Sequence, residues 1–160
     1  MKIGVISDTH LTGYSERLQH LIDRHFADVE MILHAGDLVD LAVLSMFGTR
    51  DVRAVSGNMD PPSVREVLPE WMVLELGGLR IGLVHGWGSP AGMENRLLRV
   101  FDRVDCLVFG HSHQPMNRLR DGVLLFNPGS ATDRRFASRN SLGILNISGG
   151  ISGEIIELPD

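Results

Sequence analysis

The chain has a single cysteine, Cys106, among its 160 residues. That excludes an intramolecular disulfide and a thiolate zinc cage. Cys106 lies in the apolar run Asp105-Cys-Leu-Val-Phe109 and reads as a buried, inert thiol. No apolar run approaches the roughly 18–20 residues that span a bilayer, so no membrane association is expected. No leader is expected ahead of the strand-like run Lys2-Ile-Gly-Val-Ile-Ser7, and the expected location is cytoplasmic. Basic charge is also short: 15 Lys and Arg stand against 20 Asp and Glu, for a net charge of −5. A basic stretch interleaved with aromatics is missing as well. Both absences argue against stable nucleic-acid binding, which draws on basic surface and aromatic platforms. Repeats, low-complexity tracts and linkers are absent.

What remains is an ordinary globular composition, 43% hydrophobic and 22% charged. The length suits one domain over residues 1–160. Lys2 to Ser7 reads as a buried strand. Ser15 caps a helix to about Phe26, whose apolar face is Leu18, Leu21, Ile22 and Phe26. Met31 to Leu33 and Val52 to Val55 are further strands, with a short helix from Leu41 to Phe47 between them. Trp71 to Leu76 and Leu79 to Val84 form a hairpin about Gly77-Gly78. A helix is expected over Ala91–Arg103, on which Arg96, Arg99 and Arg103 make a solvated face. Strands follow at Cys106–Phe109, Met116–Leu119, Val123–Phe126, Leu142–Ile147 and Ile151–Leu158, with turns at Asp121-Gly122 and Gly149-Gly150. Strand–helix alternation followed by antiparallel strands predicts an α/β protein with two packed mixed sheets and helices outside.

Five segments share one arrangement, an apolar strand with metal-ligand residue types directly after it. They supply Asp8 and His10, then Asp37, Asn58, His85, and finally His111 and His113. Four of the seven histidines fall in this set. Singly, each has a plainer reading: Asp8-Thr-His10 as a capped loop, Gly36-Asp37 and Gly57-Asn58 as turns. Together, at the carboxyl ends of strands, they point to one site. Carboxylate, amide oxygen and imidazole suit Mn, Fe, Zn or Ni, and seven side chains suit two ions sharing a carboxylate. Gly36, Gly57 and Gly110 precede ligands, where the backbone turns tightly and leaves room for the ion. His20, His25 and His34 read as structural or surface residues.

On these motifs the sequence resembles the calcineurin-like metallophosphoesterases, and within them the small YfcE-like phosphodiesterases. The resemblance runs over nearly the whole chain and includes Asn127-Pro-Gly-Ser-Ala-Thr132. It implies a four-layer α/β/β/α sandwich. It also implies two divalent ions, Mn2+ first, with Fe, Zn or Ni as alternatives. Asp8, His10 and His113 would hold one ion, Asn58, His85 and His111 the other, and Asp37 would bridge them. The implied reaction is hydrolysis of a small phosphodiester by a metal-activated hydroxide, with Asp37, Asn58 and His111 as catalytic residues. No residue pattern suggests a covalent phospho-enzyme.

The sequence departs from the wider family in two places. Met59 stands directly after Asn58, where many members carry a His that protonates the leaving group, and YfcE-like members commonly lack it too. Poor activity on alkyl monoesters is therefore expected. Asp60 is left to support the loop or to bind through water. Trp87 follows His85-Gly86, where a second His is frequent. With Asn58 it is expected to contact substrate, as an aromatic wall or simply by packing. Asn127 to Ser130 reads as a turn near the site, and Arg134 and Arg135 could steer a phosphate. A eukaryotic retromer subunit also resembles this small fold, so a protein-assembly scaffold is the alternative. Homo-oligomerisation is left open.

Overall fold

The first strand, β1 (Lys2–Ile6), sets the plan of the molecule. Ile3 and Val5 point to one apolar cluster and Ile6 to another, while Gly4 lies against the ring of Phe26. A strand apolar on both faces must be covered on both sides. The computed structural model describes residues 1–159, and the other elements supply that cover. In order they are α1 (Glu16–His25), β2 (Met31–His34), α2 (Ala42–Ser45), β3 (Asp51–Ala54), α3 (Pro62–Arg65), β4 (Trp71–Leu76) and β5 (Leu79–Val84). Then come α4 (Met93–Leu98), β6 (Cys106–Val108), β7 (Met116–Arg120), β8 (Val123–Asn127), β9 (Ser141–Ile147) and β10 (Ile151–Glu157).

Among the described residues, ten strands form two five-stranded sheets, ordered β10-β9-β1-β2-β3 and β4-β5-β6-β8-β7. Each has a parallel triplet, β1-β2-β3 in one and β5-β6-β8 in the other, with antiparallel strands beside it. Three apolar clusters separate four layers. Ile3, Val5, Leu33, Ile81, Val108 and Phe126 fill the space between the sheets. Ile6, Ile32 and Ile144 meet Leu18, Ile22 and Phe26 of the α1 side. Leu107 and Leu125 meet Met93 and Leu97 of α4. This is the α/β/β/α sandwich that the family resemblance implies. Among the described residues, no helix is long and apolar enough to cross a membrane.

Local chemistry explains the elements. The Ser15 side chain accepts from the Leu18 amide at the start of α1, and the amide of Phe26 closes its end on Ile22. Gly77-Gly78 and Asp121-Gly122 have positive φ at both positions, as a tight two-residue hairpin turn requires. Gly143 and Gly153, on neighbouring strands, make room for Phe126: a Cβ at either would lie 2.5 Å from its ring.

The helices are shorter than the sequence suggests. The run expected to be helical over Ala91–Arg103 is helical only over Met93–Leu98, since Gly92 precedes it in a left-handed conformation. After Leu98 the chain continues in turns, with Val100 and Phe101 bonded three residues back. The Leu41–Phe47 helix shrinks to Ala42–Ser45 in the same way, and Gly48 at φ 66° ends the segment. The short α3 was not expected from the pattern. Pro61-Pro62 starts it, with proline preorganised for the first turn.

His34 closes β2 and is fully buried, edge-on to Phe47. Its Nδ1 accepts from the Gly36 amide at 3.2 Å, so Nε2 carries the proton and donates to Thr9 Oγ1 at 3.2 Å. Burial pushes its pKa down to about 3. The folded state therefore refuses a proton that the unfolded chain accepts below about pH 6.5. Stability must fall as pH drops through that window, by about 1.4 kcal/mol per pH unit from this residue. Denaturant unfolding of chelator-treated protein at pH 6.5 and 5 is expected to show a loss about 2 kcal/mol larger in wild type than in His34→Gln. Equal losses would refute the assignment.

Candidate metal centre

All five candidate segments leave the carboxyl ends of parallel strands. Asp8 and His10 follow β1, Asp37 follows β2, Asn58 follows β3, His85 follows β5, and His111 and His113 follow β6. The two parallel triplets thus deliver their loops to one place. Two compact donor groups result, Asp8 with His10 and His113, and Asp8 with Asp37 and His85, each with ligand atoms within 4.8 Å of one another.

Asp8 is common to both groups and has no exposed surface. Its Oδ2 accepts from Ser7 Oγ at 2.6 Å and from the His111 amide at 3.1 Å. Its Oδ1 has no hydrogen-bond partner, the one buried side-chain polar atom so placed among the described residues. That oxygen faces Nε2 of His113 at 3.3 Å, His85 at 3.8 Å and His10 at 3.9 Å. Asp37 Oδ2 lies 3.3 Å from His85 Nε2 and 3.7 Å from His10 Nε2, so it stands between the two histidines. Asn58 Oδ1 lies 3.1 Å from His85 Nε2 and 3.0 Å from His111 Nδ1, which adds His111 to the His85 side.

The ring orientations are fixed from behind. His85 Nδ1 donates to Ala35 O at 2.7 Å, His113 Nδ1 to Asp133 O at 2.8 Å and His111 Nε2 to Gly88 O at 3.0 Å. A carbonyl can only accept, so in the neutral form of each ring the other nitrogen presents its lone pair to the centre. This is how metal-ligating imidazoles are oriented. A buried oxygen without a partner, inside a ring of such nitrogens, is the donor set a divalent cation completes.

The backbone is strained at the same residues. Among the described residues, seven non-glycine residues have positive φ, and five are Asp8, His10, Asp37, His111 and His113, at 47–67°. Such conformations cost energy and cluster at functional sites. Of the three preceding glycines, only Gly36 adopts positive φ, at 94°. The others leave room for carboxylates rather than for a tight turn or the ion itself. A Cβ on Gly57 would lie 2.2 Å from Asp37 Oδ1, and one on Gly110 would lie 2.0 Å from Ser7 Oγ and 2.6 Å from Asp8 Oδ2.

Several supporting residues carry no ligand signal in the sequence. Asp60 is 3% exposed and accepts from the amides of Asp37 (3.0 Å), Gly57 (2.7 Å) and Val39 (2.6 Å). It is a brace between two ligand loops. Ser130 Oγ donates to Asp8 O at 2.7 Å and Thr132 Oγ1 to Thr9 O at 2.6 Å, while Asn127 Nδ2 donates to Gly110 O at 2.9 Å. The segment read as a turn is therefore a clamp on the first and last ligand loops. Arg135 turns to Asp133, with Nε at 2.9 Å from Oδ2. Arg96 is not on a solvated face: its guanidinium binds the carbonyls of Trp87 and Ala91 at 3.0 Å each. His20 is exposed, His25 half-buried, and neither joins the centre.

Charge in the centre is balanced between acids and imidazoles. Burial lowers the pKa of His85 and His113, but pairing with Asp37 and Asp8 respectively outweighs it and raises both. Burial raises that of Asp37, and His85, the Met59 amide and His10 bring it below the ordinary value. For His10, burial dominates and the net shift is downward. Since a metal takes neutral imidazole, ion uptake competes with protons here. Replacing Asp60 by Ala strips three backbone donors of their acceptor. Apparent Mn2+ affinity by calorimetry should fall about 10–100-fold, with at least ~2 kcal/mol of stability lost. Unchanged affinity would exclude the bracing role.

The chain is similar to known proteins over nearly its whole length. Residues 1–150 match the calcineurin-like phosphoesterase superfamily domain. A probable metallophosphoesterase of Methanothermobacter thermautotrophicus is 39% identical over 160 residues, covering 98% of this chain and 92% of that one. A solved archaeal phosphodiesterase superposes with TM-score 0.77 at 25% identity, over 99% of this chain and all of the other. Vps29 of Entamoeba histolytica complexed with Zn2+ gives 0.74 at 27% identity, over 98% and 99% of the two chains. With its two-sheet sandwich and its cluster of acids and imidazoles at the strand ends, the chain belongs to the calcineurin-like phosphoesterase superfamily, among its small YfcE-like members.

Proposed function

We propose that this chain works as a single domain to hydrolyse phosphodiesters with two divalent ions, Mn2+ in preference to Fe, Zn or Ni. Asp8, His10 and His113 would hold one ion, Asn58, His85 and His111 the other, with Asp37 between them. The observation that carries this reading is the partnerless buried Oδ1 of Asp8, set with Asp37 Oδ2 among inward-facing imidazole nitrogens. The ions supply Lewis acidity toward phosphoryl oxygens and lower the pKa of a bound water. The protein's part is positioning. The carbonyls behind His85, His111 and His113 fix their tautomers. Asn58 is exposed enough to offer its amide NH2 to a phosphoryl oxygen while its Oδ1 faces His85 and His111.

Met59 supports a diester with a good leaving group. Its side chain is 55% exposed and carries no proton to give, while its backbone amide donates to Asp37 Oδ1 at 2.8 Å. The position thus holds a carboxylate in place through backbone alone. All seven candidate ligands come from one chain, so the site needs no partner subunit. A small substrate, a cytoplasmic setting and the absence of a nucleic-acid partner fit the acidic composition and the single buried cysteine. The likeness to Vps29 keeps an assembly scaffold as the second reading, while the strained, partnerless acid favours turnover.

Chelator-stripped protein should not hydrolyse bis-p-nitrophenyl phosphate until Mn2+ is restored, and Asp37→Asn should lower kcat/KM by ~10²-fold or more. Glycerol phosphate should react about 10²–10⁴-fold more slowly than the aryl diester, for want of a general acid. Equal rates on the two, or turnover without metal, would contradict the proposal. No turnover with two ions bound would favour the scaffold.

A further inference from the structure

Beside Asn58 and His85 the surface opens into a cavity of about 380 Å³, a volume that suits part of a small organic ligand. Two indoles line it, and they reach it from different places. Trp71 opens β4 and pairs across the sheet with Val84, the residue before His85. Trp87 lies two residues beyond His85. Both are nearly half exposed, at 48% and 45%. The Trp71 ring is braced edge-on by Phe101, at 5.6 Å and 88°. Val84 and Val100 add apolar lining, Glu70 adds an anionic acceptor, and Arg65 adds a guanidinium whose Nε and Nη2 already donate to the carbonyls of Asp60 and Asn58 and whose Nη1 is left to donate.

The loop that carries Trp87 is held at both ends of its function. It contains Gly86, Gly88 and Gly92, all at positive φ, and would have little rigidity of its own. One side chain organises it. The Arg96 guanidinium binds the carbonyls of Trp87 and Ala91 at 3.0 Å each, and that of Ser89 between them. His111 Nε2 donates to Gly88 O at 3.0 Å, while His111 Nδ1 faces Asn58. The tryptophan loop is thereby joined directly to a candidate ligand of the centre.

We propose that this cavity is the subsite for a planar, nucleobase-sized aromatic substituent of the phosphoester, with Trp71 and Trp87 as specificity-determining walls and Arg96 as the positioning residue for Trp87. The inference rests on the phosphodiesterase reading, because the phosphoryl group would sit at Asn58 and His85, which line the same cavity. Exposed indole beside a charged centre is costly to keep unless it is covered in use, and planar rings stack on it favourably. Arg65 and Glu70 suit the mixed donors and acceptors on the edge of a heterocycle better than they suit an aliphatic chain.

The test is equilibrium binding rather than turnover. Mn2+-loaded protein is titrated with adenosine 5′-monophosphate and with methyl phosphate, which share the phosphate group and differ in the substituent. Calorimetry and quenching of tryptophan fluorescence report the dissociation constants. Wild type is expected to bind the nucleotide at least roughly tenfold more tightly than methyl phosphate. Trp71→Ala and Trp87→Ala should each reduce that ratio several-fold, and Trp71→Phe should largely restore it. Arg96→Ala should reduce it like Trp87→Ala, and the double variant should be no worse than either alone. Equal affinities in wild type, or a ratio untouched by both alanine variants, would overturn the subsite while leaving the hydrolase reading intact. An intact affinity ratio in a protein that hydrolyses no phosphodiester would do the reverse.

Discussion

One oxygen of Asp8 is buried at zero exposure without a hydrogen-bond partner, while the other is fixed by Ser7 and the His111 amide. A carboxylate so placed is costly to desolvate unless a cation completes its surroundings. Much of the neighbouring architecture serves to hold this arrangement. Gly110 has no side chain because a Cβ would collide with Ser7 Oγ and Asp8 itself. Ser130, from a segment more than a hundred residues away, fastens the Asp8 carbonyl. The left-handed backbone at Asp8, His10, Asp37, His111 and His113 is tolerated because the sheets and clamps over-determine it.

The two sheets supply the rigidity this demands. Parallel strands place their carboxyl ends side by side, so a residue just past each strand end is brought within reach of its neighbours. Because β1 is covered on both faces, its register is tightly set, and a slip of one residue would exchange the two cores. The position of Asp8 is therefore a consequence of Ile3, Val5 and Ile6 as much as of its own loop.

The strand ends and the candidate ligands were legible in the sequence, because apolar runs followed by Asp, Asn or His make a pattern of residue types, while the four-layer plan came from the family resemblance. Of the braces, only loop support by Asp60 was legible. Asp60 acts through three backbone amides, Ser130 and Thr132 through backbone carbonyls, and Arg96 through the carbonyls of a loop nine residues before it. Backbone partners leave no trace in residue type. Trp71 was hidden for a related reason: its nearness to His85 depends on strand register, with Trp71 opposite Val84. The helices α2 and α4 are shorter than their apolar spacing suggests, because that spacing continues through turns whose bonds span three residues rather than four.

The partnerless Asp8 oxygen and the Asp37 carboxylate are proposed to hold divalent cations. Crystals soaked in Mn2+ and measured near the manganese absorption edge test it directly. Two anomalous peaks are expected, one among Asp8, His10 and His113 and one among Asn58, His85 and His111, with the Asp37 carboxylate between them. A single peak elsewhere, or none at saturating Mn2+, would contradict it.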